Sequence, residues 1–171
     1  MPIALGALAL FAATYAIVYS HVSVWDKIFP LGMTFGFLAV ACQPCSSPYI
    51  VLDRVGVFKQ TPFWSDVIHY TGAIAGFASL ILWIAVCFTM SDKKRENRTP
   101  QKIIRNNIYI VLSVAMTSCL LMLPMYLLGW FGKEFAIVLW IEAGMLVFGS
   151  FALTVKSGVI PLCRDKGNRE A

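Results

Sequence analysis

The sequence predicts an all-α integral membrane protein: one domain, a bundle of five helical spans, with the N-terminus outside and the C-terminus cytosolic. Three observations predict it. Of 171 residues, 58% are hydrophobic and 13% charged, whereas soluble domains carry about a quarter charged residues, and the mean hydropathy is +0.73. Apolar runs near the ~20 residues needed to cross a hydrocarbon core alternate with short polar segments. The basic residues are distributed unevenly among those segments, which sets orientation.

The first span is expected over Pro2 to Ser20. It is uncharged, and MPIALGALALF lacks a basic stretch ahead of its apolar run, so it reads as a retained span and not a cleaved leader. After a short loop, His21 to Lys27, the second span covers about 28–52. Pro44 and Pro48 are expected to kink or break its second half, because proline removes a helix hydrogen bond and clashes with the preceding turn. A polar loop, Asp53 to Asp66, carries a turn signal at Thr61-Pro62. The third span is about 67–90, the fourth about 108–131 with a bend at Pro124, and the fifth about 135–155. Between the third and fourth lies the hydrophilic SDKKRENRTPQKIIRN.

Five spans place Lys27, the six bases from Lys93 to Arg105, and Lys156, Arg164, Lys166 and Arg169 on one side. Only Arg54, Lys59 and Lys133 fall on the other. Basic residues favour the cytosolic side, which puts the N-terminus outside. The net charge of +5 is thereby accounted for by loops flanking the membrane. No basic face with interleaved aromatics appears, so nucleic acid is not an expected partner; membrane lipids are.

The stretch Ala41 to Arg54, ACQPCSSPYIVLDR, concentrates polar and helix-breaking residues inside an apolar run. Such residues are tolerated at membrane depth only where protein or water surrounds them. At about 1.5 Å per residue, five-span topology puts His69 roughly 5 Å, Glu142 roughly 10 Å, and Cys42 and Cys45 roughly 10–15 Å below the outer surface. Gln43, Ser46, Ser47, His69 and Glu142 are therefore candidates for lining a polar pocket on the outer-leaflet side. Glu142 is the one acid within an apolar run, and a structural Glu–His or Glu–Trp/Tyr hydrogen bond that pins helices together is the blander account of it. Asp66 stands one turn before His69 and would orient its ring.

The pair Cys42-Gln43-Pro44-Cys45 has two sharper readings. A Cys-x-x-Cys pair suits dithiol redox chemistry. Two thiolates with His69 and Glu142 would make a four-ligand set of kinds that zinc accepts. Plain packing of small residues is the third reading. Cys87, Cys119 and Cys163 lack motif spacing, and a quinone-linked thiol oxidase would need a second cysteine pair. The two histidines lie toward opposite faces, which disfavours a haem held between them. No cofactor is named by these residues.

Gly32 with Gly36, and Gly72 with Gly76, form Gly-x-x-x-Gly patterns that let helices approach closely in lipid. They serve packing within the chain or offer a face to a second copy. His69, Gly72 and Gly76 share one helix face.

The segments GMTFGFLAVACQPCSSPYI, DRVGVF, SDVIHYTGA and WIEAGMLVFGSFALTVKSG together resemble a group of uncharacterised bacterial multi-span membrane proteins. There is also a fainter similarity to DRAM/Sfk-type multi-span proteins, which share a His near a span entrance. The resemblance implies an all-helical bundle in the plasma membrane and assigns no residue a role. From the residues themselves, the leading expectation is binding or transport of a lipid or small amphipathic ligand. The alternatives are a membrane-embedded enzyme, redox or metal-dependent, using Cys42, Cys45, His69 and Glu142, and a structural or interaction protein.

Overall fold

A computed structural model describes residues 2–18, 23–45, 54, 56–90, 99–131 and 137–159. The described residues are helical with connecting turns and contain no β-strand. The helices are α1 (Pro2–Val18), α2 (Trp25–Cys42), α3 (Pro62–Leu82), α4 (Pro100–Leu127) and α5 (Ile137–Lys156). A π-helical turn, Trp83–Cys87, extends α3. Three helices are long and apolar enough to cross a membrane: Pro62–Cys87, Pro100–Leu127 and Ile137–Lys156. Less than half of each one's apolar stretch is buried within the chain, so their outer faces require an apolar surrounding.

The helices start and stop where local chemistry dictates. Both α3 and α4 open on proline, whose missing N–H is harmless at the first helical position. Thr99 caps α4, its hydroxyl oxygen accepting from the Lys102 N–H at 3.3 Å. The α4 helix therefore begins eight residues earlier than the apolar run at Ile108. Past its end, Gly129 takes φ 79°, the left-handed conformation that closes a helix. Pro124 is accommodated inside α4.

The largest departure from expectation is the length of α2. Of the kink or break expected at Pro44, the described residues show a break: α2 ends at Cys42, with Gln43 extended at φ −126° and ψ 95°. Its charged first turn, Asp26 and Lys27, leaves 15 apolar-run residues, about 22 Å of helix. Ser46 to Asp53 lie outside the described residues.

Contacts divide the chain into two compact units, Met1–Leu80 and Ile81–Ala171. In the first, α1 buries the stripe Leu5, Ala9, Ala12 and Ala16, which is small enough for α2 to approach closely. The Thr34 hydroxyl lies 2.8 Å from the Pro30 carbonyl and 3.3 Å from that of Ala9 on α1. Glycine governs the crossing of α2 and α3. A Cβ on Gly36 would lie 2.4 Å from the Gly76 nitrogen and 2.6 Å from the Gly72 oxygen. The two glycine faces offered to a second copy thus meet each other.

In the second unit the end of α3 is held by α4 and α5. Lys102 Nζ donates to the carbonyls of Phe88 (3.1 Å) and Met90 (3.2 Å). Asn106 Nδ2 donates to Thr89 (3.3 Å). Lys156 lies over the Phe88 ring at 4.9 Å, and that ring packs against Trp83 and Tyr109. These donors replace the next helical turn for carbonyls that would otherwise be orphaned.

Candidate functional site at the end of α2

Where α2 stops, the carbonyls at its end lose the next helical turn and need other donors. They receive them from two places. The turn 56–59 sends the Val57 N–H to the Cys42 carbonyl at 2.9 Å. The first two turns of α3 send the Ser65 hydroxyl to the Pro44 carbonyl at 2.9 Å. They also place His69 Nδ1 2.7 Å from the Gln43 carbonyl. A carbonyl oxygen only accepts, so Nδ1 carries the proton and the ring is fixed in that tautomer. Ser65, His69, Gly72 and Gly76 follow one another at helical spacing, all buried. One face of α3 therefore both packs on α2 and caps it.

The Gln43 side chain is fully buried, at 0% exposure. Its Oε1 accepts from the Phe58 N–H at 3.4 Å. Gly56 closes against it at φ 75°, where any Cβ would fall 1.6 Å from that oxygen. Glycine is required there twice over, for the backbone conformation and for the space. The amide nitrogen Nε2 has no hydrogen-bond partner among the described residues. A buried donor left unmade costs about 1–3 kcal/mol, so this atom is either a standing penalty or a contact point for something bound.

Of the residues singled out from sequence, the structure joins Gln43, His69 and the Cys42 backbone. Ser46 and Ser47 lie outside the described residues. Cys42 and Cys45 are free thiols, both half-buried. They sit at the carbonyl end of α2, whereas dithiol nucleophiles are activated at the positive, N-terminal end of a helix. Among the described residues, no three His, Cys, Asp or Glu side chains are grouped to hold a metal ion. Glu142 belongs to the second unit. It is buried on the face of α5 that carries Ile141, Met145, Gly149, Ala152 and Val155.

Sequence reasoning missed Ser65, Gly56 and the basic turn beside them. The signal for Ser65 was present: stepping back one helical turn from His69, along the face that carries Gly72 and Gly76, reaches it. Gly56 and Phe58 gave no such signal, since their roles depend on the turn's path. Comparison with protein-family models, curated proteins and solved structures found no match.

Proposed function

We propose that the chain is a membrane protein of five spans, N-terminus outside, that binds a lipid or small amphipathic molecule at the polar end of α2. One observation carries the ligand reading: the fully buried Gln43 amide, whose Nε2 has no partner among the described residues, belongs to a residue whose backbone carbonyl is held by His69. An acceptor atom on a bound amphiphile would satisfy it, while the apolar helix faces would receive the ligand's chain. Gln43→Leu keeps the volume and removes the donor, together with the acceptor of the Phe58 N–H. It is expected to lower retention of co-purifying lipid or a photo-crosslinkable amphiphile about five- to tenfold, the worth of one buried hydrogen bond. Unchanged retention would remove the reading.

The topology is tested separately. In a cysteine-free background, Lys59→Cys is expected to react with a membrane-impermeant maleimide on intact cells, and Gln101→Cys only after lysis. The reverse pattern would invert the orientation, and labelling of both on intact cells would rule out five spans.

A further inference from the structure

The turn that wraps Gln43 carries a second set of features that the capping role does not use. Lys59 adopts φ 49°, a left-handed conformation that non-glycine side chains seldom take and that recurs where a residue is positioned for a task. Its N–H closes the turn onto the Gly56 carbonyl at 3.1 Å. Its own carbonyl accepts from Arg54 Nη1 at 3.2 Å, so the guanidinium is tethered to the backbone beside the second cation. Both side chains are exposed. Asp53 precedes the pair and Asp66 lies two residues past Trp64; between them no acid occurs. Around the two cations, large apolar groups stand out into the surroundings: Val57 at 69% exposure, Phe58 at 59%, Phe63 at 68% and Trp64 at 55%. Phe63 and Trp64 pack edge to face at 5.5 Å. One tethered and one free-standing exposed cation, with exposed aliphatic and aromatic side chains in the same short stretch at the start of a helix long enough to cross a membrane, match the two halves of an anionic lipid.

Resting on the lipid-binding reading above, we infer that the ligand is an anionic phospholipid. Arg54 and Lys59 hold its phosphate, and Val57, Phe58, Phe63 and Trp64 receive the upper part of its acyl chains. Arg54 supplies a planar fork suited to phosphate oxygens, and Lys59 a point charge. Gln43 contributes its Nε2 donor to the same ligand and, through Oε1, holds Phe58 N–H and so the shape of the turn.

The test uses the full chain in mild detergent, with phosphatidylglycerol and phosphatidylcholine offered in equal amounts and the bound lipids counted by native mass spectrometry. The wild type is expected to retain phosphatidylglycerol about thirtyfold better, the combined effect of two basic groups near a charged headgroup. Arg54→Gln with Lys59→Gln is expected to bring the ratio near one. Lys59→Gly, which suits the turn's backbone while removing one charge, is expected to cut the ratio about fivefold. Phe63→Ser with Trp64→Ser should weaken both lipids equally and leave the ratio intact. A ratio near one in the wild type, with lipid still retained, overturns the headgroup assignment alone. A ratio unchanged in the double charge variant overturns it too. Retention of neither lipid overturns this inference together with the binding reading on which it rests.

Discussion

Gly36→Ala is expected to leave little folded protein. The added methyl group would meet the Gly76 nitrogen at 2.4 Å, the Gly72 oxygen at 2.6 Å and the Gly76 Cα at 2.6 Å. All three are backbone atoms of α3, so no rotamer change relieves the overlap and the helices must separate. Separation also pulls the first turns of α3 away from the end of α2, uncoupling Ser65 and His69 from the carbonyls they cap. Overpacking alone costs about 1–3 kcal/mol, and loss of the caps adds to it. Two neighbouring changes calibrate the effect. At Gly32 the new Cβ meets the Ser79 side chain at 2.3 Å, and a serine hydroxyl can turn aside, so Gly32→Ala should be milder. At Gly6 nothing lies within 4 Å, and alanine there should be neutral or slightly stabilising, given glycine's poor helix propensity. Survival of monodisperse protein after heating in detergent ranks the three. Equal stability of Gly36→Ala and Gly6→Ala would contradict the crossing described above.

The second large effect is expected at His69. His69→Leu preserves bulk but strips the donor from the Gln43 carbonyl, which lies 2.7 Å from Nδ1. A buried carbonyl without a partner costs about 1–3 kcal/mol. His69→Asn carries an amide N–H at nearly the same reach as Nδ1 and is expected to recover most of the loss. A melting temperature for His69→Leu equal to the wild type would show the bond to be unimportant. Failure of asparagine to rescue would assign the loss to ring packing, since His69 also meets Tyr70 edge to face at 5.6 Å. This pair of variants separates a structural histidine from one whose only business is with a ligand.

The helical class was readable because lipid-facing helices must be apolar all round, which composition registers directly. Helix boundaries were less so. The fourth apolar run begins at Ile108, yet the helix begins at Pro100, because Thr99 and Pro100 start helices irrespective of hydropathy. The reverse happened at α2. Hydropathy continues through Ile50 to Leu52, but Gln43 leaves helical geometry just before Pro44, which has no N–H to give a helical carbonyl. The glycine pairs were legible as close-approach surfaces, although spacing alone does not say which surface meets which. Among site residues, Gln43 and His69 declared themselves by polarity in an apolar setting. Lys102 was harder. It reads as a charge that sets topology, while in the structure its ammonium group binds the carbonyls of Phe88 and Met90. One-dimensional charge counting does not register hydrogen-bond reach across a chain reversal.

The borrowed donors at the end of α2 bear on how the protein is made. The groups that satisfy the carbonyls of Cys42, Gln43 and Pro44 lie 15, 26 and 21 residues further along the chain. At a synthesis rate of about 5–20 residues per second, they leave the ribosome roughly one to five seconds after the atoms they complete. Until then these carbonyls lack the partners that complete them, and a buried carbonyl without a donor is costly. The end of α2 is therefore completed only once the start of α3 has been made.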